Sequence, residues 1–200
     1  MTQTSPPTEA QQPSKQGPGR LKIFVIVIAA IATVGLLTSY ASSKSMHDKA
    51  SAEMKVTKTI NSIIALQGRI ALLYSNKSSY GTQEMTAEVI SAGIAPAHMV
   101  VGHGPNASLK NEWGGRFMIF PTGQGSGFRL SMEDVPRDAC VSLLTKMAGS
   151  SSQNSLLGIS VQSKVAPTDS YPVLRQPIDS GKAQSACADE QNNGISVYYR

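Results

Sequence analysis

Residues 23–40 read IFVIVIAAIATVGLLTSY, 18 positions without a charge, of which ten are Ile, Val, Leu or Phe; the uncharged run continues to Ser43. About 20 residues of helix cross a hydrocarbon layer, and each large aliphatic or Phe contributes roughly −0.3 to −0.6 kcal/mol to insertion. The stretch therefore predicts a transmembrane helix over 20–43. Lys15, Arg20 and Lys22 all precede it, which keeps the N-terminus on the cytoplasmic side and exports everything from Lys44 onward. Ser39-Tyr40-Ala41 offers a competing outcome, a small-x-small cleavage site that would release a secreted chain beginning at Ser42. The apolar run exceeds the usual signal core of about 7–15 residues, which favours retention. Flanking Arg and Lys and the polar tail also weigh against a buried core helix of a soluble domain.

On the N-terminal side, residues 1–19 (MTQTSPPTEAQQPSKQGPG) hold no large aliphatic after Met1 and cannot bury enough surface to offset chain ordering, so they read as a polar leader or cytoplasmic tail. On the C-terminal side, no proline interrupts residues 44–74. There Met46, Lys49, Ala50, Glu53, Val56, Ile60, Ile63, Ile64, Gln67, Ile70, Leu73 and Tyr74 recur every three or four positions, the pattern of an amphipathic helix. The two patterns join into one helix from about Leu21 to Tyr74, on the order of 80 Å long. The alternative is a kink between Ser39 and Ser45, where Ser and Thr side chains bond back to the backbone.

Beyond Asn76, Ser78, Ser79 and Gly81 the chain reads as a small α+β head over 44–200 that includes the second half of the helix. A Gly, Ala and Pro-rich stretch covers 82–111, with a short helix expected over 86–96. Arg116–Phe120 and Phe128–Met132, separated by PTGQGSG (121–127), predict a hairpin. Val135-Pro136 opens a helix to Met147, with Pro136 in its first turn and Asp134 or Asp138 near the positive end of its dipole. Short strands are expected at 157–161, 171–174 and 194–199.

Charge and cysteines narrow the function. The net charge is +5, but residues 1–44 hold four basic groups and one acid, leaving 14 basic and 12 acidic groups elsewhere; aromatics are 6%. Scattered bases without interleaved aromatics exclude a broad nucleic-acid face. Cys140 and Cys187 are the two cysteines. In an exported domain they are expected to form a disulfide; a metal pair or reactive thiol would need His or charged neighbours, and neither has one in sequence.

The ordered set of features resembles a type IVb pilin. It comprises Tyr80-Gly81, Asn111-Glu112 before the Trp113-Gly114-Gly115 turn, Gly127-Phe128 leading the second strand, Val135-Pro136 with Ala139-Cys140, and Cys187 ahead of an Asn-containing turn and the last strand. The likeness is to the major-pilin family of thin conjugative pili and related enterobacterial type IVb pili, alongside the toxin-coregulated and bundle-forming pilins. It covers about residues 44–200 and points to a divergent or minor member. The resemblance implies a long helix packed on a small antiparallel sheet, an assembly helix carrying Phe24, Val27, Ile31 and Val34, and a filament with no catalysis and no cofactor. It further implies other pilin subunits, the inner membrane, a prepilin peptidase and the pilus assembly machinery as partners. Adhesion, aggregation or conjugative mating contact would be its work.

One position departs from the family. Prepilin cleavage after Gly19 would put Arg20 first and Phe24 fifth, where such pilins carry Glu, and no acid lies between Glu9 and Asp48. The resemblance then leaves a divergent or tip subunit and an uncleaved, membrane-anchored protein both open. A signal-cleaved periplasmic or secreted binding module is the third reading.

Enzyme signals are weak. His47, His98 and His103 show no metal spacing. Gly123-Gln-Gly125-Ser-Gly127 lacks the Lys-Ser/Thr ending of a phosphate loop and the frame of a nucleophile elbow, so it reads as a turn. Ser150–Ser152 read as loop. The adjacent acids Glu133-Asp134 and Asp189-Glu190 read as capping and solvating groups. No catalytic, cofactor-binding or metal residue is assigned.

Overall fold

The computed structural model describes residues 48–149, 155–163, 165 and 172–200. The chain divides into two compact units, Met1–Asp48 and Lys49–Arg200, and the second carries the sheet and the helices packed on it. The leader and the expected span over 20–43 lie outside the described residues. Among the described residues no helix is long and apolar enough to cross a membrane.

Helix α1 is described over 48–73. Val56, Ile63, Leu66, Ile70 and Tyr74 are buried along one side, spaced so that they share a face at 3.6 residues per turn. Two details differ from the periodicity. Leu66 belongs to the core, whereas Ile64 is 40% exposed and Lys49, Ala50 and Glu53 are also exposed. Thr59 and Ser62 take up buried positions; Ser62 is tolerated because its hydroxyl bonds back to the Lys58 carbonyl at 2.9 Å.

The head is one six-stranded antiparallel sheet in the order β1-β2-β3-β4-β6-β5. Its strands are β1 (Val100–Val101), β2 (Ser108–Lys110), β3 (Arg116–Thr122), β4 (Gly127–Val135), β5 (Leu156–Gln162) and β6 (Asn193–Tyr199). Three further helices complete it: α2 (Thr86–Ser91), α3 (Arg137–Gly149) and α4 (Ser180–Ala186). Phe117, Ile119, Phe128, Leu130, Met132, Ile195, Val197 and Tyr199 join the buried side of α1 and Cys140, Leu143 and Leu144 of α3 in one core. Strand alternation puts Arg129, Ser131, Ser160, Ser196 and Tyr198 on the other face. All five are buried, with Ser131 and Ser196 Oγ 2.8 Å apart and the Arg129 guanidinium 4.7 Å from the Phe120 ring centre.

The expected hairpin is present and longer than anticipated. Pro121 does not end β3: Ile119 faces away from β4, donating to Thr86 Oγ1 and accepting from Met85 N–H, and Pro121 continues that outer flank, where a missing N–H costs no ladder bond. The helix expected over 86–96 stops at Ser91, with Gly93 in the left-handed region at φ +68°. In place of a strand over 171–174 there is a single bridge, Ile159 with Leu174; Pro172 has no N–H with which to lengthen it, and Tyr171 lies outside the described residues. Strands β1 and β2 fall within the Gly, Ala and Pro-rich stretch, and α4 lies between the strands expected at 171–174 and 194–199. Helix α3 begins at Arg137, so Pro136 precedes it and supplies the carbonyl that Cys140 N–H meets at 2.8 Å.

Candidate functional site

The C-terminal third is a clasp built on the disulfide. Cys140, in the first turns of α3, and Cys187, immediately after α4, form a bridge with Cα atoms 5.9 Å apart and 47 residues of separation, both fully buried. Asp179 starts α4 by accepting from Lys182 N–H at 2.9 Å, and this backbone bond holds its carboxyl below the usual range. After Cys187, Asp189 accepts from Gln191 and Asn192 N–H, each at 2.9 Å, with the same effect on its carboxyl. Glu190 meets Arg137 twice, by its carbonyl to Arg137 N–H at 3.1 Å and by Oε1 to Nη1 at 2.7 Å. Asn193, almost wholly buried, donates to the Val135 and Asp189 carbonyls. The C-terminal end of the long segment after α3 is thus tied to the β4–α3 corner.

A second side-chain knot sits at the Trp113 turn. Asn111 Oδ1 accepts from Trp113 and Gly115 N–H at 2.9 and 3.0 Å, while its amide nitrogen donates to the Glu133 carbonyl at 2.6 Å. Glu133 and Asp134 lie in β4, ahead of α3, and so do not cap it; Asp134 is exposed, as a solvating acid is expected to be, at a positive-φ position (+56°) where β4 changes register. A non-glycine residue there carries a bulge that bends the strand toward α3.

The remaining expectations separate cleanly. Gly123–Gly125 forms a one-turn 3₁₀ helix with Gln124 at φ +57°. Gly125 lies so close to Ser79 and Gly81 that a Cβ would collide with both, and its carbonyl accepts from Tyr80 N–H at 3.0 Å. The glycines serve this docking. His103 lies in an exposed loop, and His98 meets Ser62, Glu112 and, through Glu112, Lys58. Ser62 Oγ and Glu112 Oε1 both approach His98 Nε2, at 3.1 and 3.4 Å. A nucleophilic relay needs the nucleophile and the orienting carboxylate on opposite ring nitrogens. The Ser62 hydrogen, moreover, is directed to the Lys58 carbonyl. The cluster is a brace between α1 and the head. No group of three or more His, Cys, Asp and Glu among the described residues is placed to hold a metal ion. His47, Ser150–Ser152 and the assembly and cleavage positions Gly19, Arg20, Phe24, Val27, Ile31 and Val34 lie outside the described residues.

Open clefts among the described residues include one of about 560 Å³ between β5 and α4 and one of about 460 Å³ between α2 and the β1–β2 connection. The first is lined mainly by Val161, Pro172, Leu174 and Lys182, and the second by Ile90, Val100 and His103. The family model described as PilS N terminal matches residues 50–198.

The chain is a PilS-family type IVb pilin.

The major structural subunits of the bundle-forming pilus of Escherichia coli O111:H- and of Escherichia coli O127:H6 (strain E2348/69 / EPEC) are each 21% identical to this pilin over 181 residues, 88% of this chain and 89% of the relative. Among solved structures, the type IV b pilin from Salmonella typhi superposes with a TM-score of 0.53 at 22% identity, covering 74% of this pilin and 97% of that chain. TcpA, a type IV pilin from Vibrio cholerae El Tor biotype, gives 0.51 at 11% identity, covering 74% and 99%. At these identities the superpositions speak for the fold. The family is a structural one. Sequence reading identified both cysteines and the Trp113 turn but missed the work of Asn111 and Asn193. The signal was available in an Asn four residues before Gly115 and another next to Gly194, each placed to satisfy backbone groups at a turn.

Proposed function

We propose that this pilin is a subunit of an extracellular type IVb pilus that polymerises laterally through its apolar N-terminal helix. The observation that carries the reading is a pilin head preceded by the 18 uncharged residues 23–40. The bundle-forming pilus relatives, named as major structural subunits, favour a filament. Strand addition is the main alternative route to a pilin polymer, and the sheet offers it little. C-terminal β6 is already internal, β1 has two residues, β3 is capped by Met85 and Thr86, and β5 is bridged at Leu174. In this reading the inner membrane holds the subunit through residues 20–43 with its head (44–200) in the periplasm until assembly. A prepilin peptidase cuts between Gly19 and Arg20, and Val27, Ile31 and Val34 pack between neighbours in the pilus. Mating contact, adhesion and aggregation are the roles open to the head.

A second reading has its own observation: with Phe24 in place of an acid, no carboxylate between Glu9 and Asp48 can meet a neighbour's N-terminal amine, and an unpaired amine in hydrocarbon costs several kcal/mol. That favours a minor subunit, or a chain that keeps its leader as an anchor. Mass spectrometry of the native N-terminus separates the cases: Arg20 first for peptidase processing, Met1 or Thr2 for an anchor, Ser42 for a secreted module. Sedimentation of sheared surface material with wild-type chain and Val27→Asp tests assembly. Polymer from the wild type alone is expected, and normal polymer from Val27→Asp overturns helix packing.

A further inference from the structure

Lys110 and Arg116 stand directly opposite each other where β2 pairs with β3, which roots two cations on one side of the sheet with Cβ atoms about 4.5–5.5 Å apart. Their strand neighbours Leu109 and Phe117 are buried in the core, so alternation turns the two cations outward, where both are exposed. Like charges placed this way are destabilising. Lys58, Lys77, Arg137, Lys146 and Lys182 each meet a carboxylate. Lys110 and Arg116 have no ion pair and no side-chain hydrogen bond among the described residues. The acid closest in sequence brings no relief: Glu112, in the turn between them, gives one oxygen to Lys58 at 3.0 Å and turns the other toward His98 at 3.4 Å. Glu133 and Asp134 on β4 enter no ion pair among the described residues either. Nor can the register slip to part the two charges. Asn111 Oδ1 holds the Trp113 and Gly115 N–H groups, and Asn111 N–H meets the Gly115 carbonyl at 2.9 Å.

We propose that Lys110 and Arg116 together bind a phosphate group of a molecule outside the chain. A phosphomonoester carries roughly −1.5 to −2 charge near neutral pH, which matches two cations, whereas a single carboxylate would leave half of their charge uncompensated. Arginine offers a planar fork that takes two phosphate oxygens at once, and lysine adds a mobile point charge. One tetrahedral group can therefore bridge side chains that start on directly opposed backbone positions. The Asn111 knot holds the pair together before any ligand arrives, so the cost of bringing two cations side by side is met in folding and the ligand relieves it. The site lies wholly within the head, and it stands whether the pilin is a filament subunit or an anchored protein.

The test uses the full chain in non-ionic detergent. One probe is inorganic phosphate against chloride at matched ionic strength, and the other is phosphatidic acid in the micelles against phosphatidylcholine. Trp113, the sole tryptophan, sits in the turn between the two cations and reports through its emission, while the melting midpoint reports binding independently. A saturable change in emission and a rise in midpoint are expected, with half-saturation about tenfold higher in Arg116→Gln and in Lys110→Gln. A response to inorganic phosphate upholds the site for the free ion, and a response to phosphatidic acid alone upholds it for a lipid headgroup. No response to either probe, an equal response to acetate, or unchanged half-saturation in Arg116→Gln overturns the proposal. Lys110→Glu supplies a second measure, because it sets a carboxylate opposite Arg116. It should raise the midpoint in chloride and abolish the response to phosphate. A midpoint no higher than that of the wild type would show that the two cations are already compensated, and the proposal falls with it.

Discussion

Tyr74, just past the end of α1, donates its phenolic hydrogen to Glu88 Oε2 on α2, and Lys77 Nζ lies 2.9 Å from Glu88 Oε1 and 4.2 Å from the Tyr74 ring centre. The ring of Tyr74 also begins an aromatic file through Tyr80 and Phe128 to Tyr199, with centres 5.1, 5.0 and 5.5 Å apart. One residue therefore couples the spine, the connection after it and the central strand of the head. Glu88 could hardly be swapped without unsettling that junction, because its two oxygens serve two different elements.

The junction makes stability depend on pH at both extremes. Burial, reinforced by the bond to Glu88 and by its charge, pushes Tyr74 from 10.0 up to about 12; burial raises Tyr80 and Tyr199 as well. A raised tyrosine favours the folded state while neutral, so this stability is complete below pH 10 and is lost as pH rises toward 12. The hydrogen bonds from Tyr74 and then Lys77 lower Glu88, so its contribution is complete above the ordinary carboxylate range and is lost as pH falls through the depressed value. Urea midpoints of the head across alkaline pH should fall above pH 10, and Tyr74→Phe should reduce that fall while lowering neutral-pH stability by about 1 kcal/mol. Parallel profiles for the two proteins would refute the assignment.

Two adjacent glycines should behave differently. A Cβ on Gly115 would overlap the Glu133 carbonyl and press on the Asn111 amide, whereas one on Gly114 meets nothing within 4 Å, though Gly114 has φ +87°. Gly114→Ala then costs only the left-handed backbone penalty of about 1–2 kcal/mol. Gly115→Ala forces the Asn111 knot apart and should cost about 3 kcal/mol or more. Thermal melts of the two variants decide it; equal losses would show that the knot yields.

What the sequence disclosed follows from the range of each signal. The period of α1, the alternation of β3, β4 and β6 and the exported cysteine pair are local or compartmental signals, and all were legible. The displacement of Ile64 by Leu66 in the core was not, since the two lie about 200° apart on the helix and both are aliphatic; which one turns inward is set by how α1 seats on the sheet. Strands β1 and β2 escaped notice because two or three residues show no period. The bond from Asn111 to the Glu133 carbonyl escaped notice because the two lie 22 residues apart.

The division of α1 into buried and exposed sides predicts a contrast between two leucines. Leu66 is fully buried and Leu72 is 75% exposed. Leu66→Ala should cost about 2–5 kcal/mol through lost burial and a residual cavity. Leu72→Ala in the isolated subunit should stay within about 0.5 kcal/mol. Chemical denaturation of dispersed subunits measures both; comparable costs would mean that Leu72 already has an intramolecular partner.

The disulfide should matter more to the denatured chain than to contacts in the native one. It closes 47 residues, and the chain-entropy model assigns such a loop about 4 kcal/mol. Both sulfurs are buried, so a thiol reductant reaches them only through opening of the clasp formed by Arg137, Glu190 and Asn193. The native head is therefore expected to retain its bridge in dithiothreitol and to lose it once urea is added. Replacing both cysteines with alanine should lower the urea midpoint and speed proteolysis after α3, where the segment's C-terminal end is held by the bridge and the Asn193 bonds. Asn193→Ala, which leaves the bridge in place but frees the Val135 and Asp189 carbonyls, should quicken reduction in dilute urea. Reduction of wild type and Asn193→Ala at one rate would show that access to the sulfurs requires global unfolding, and the clasp would then have no separate opening.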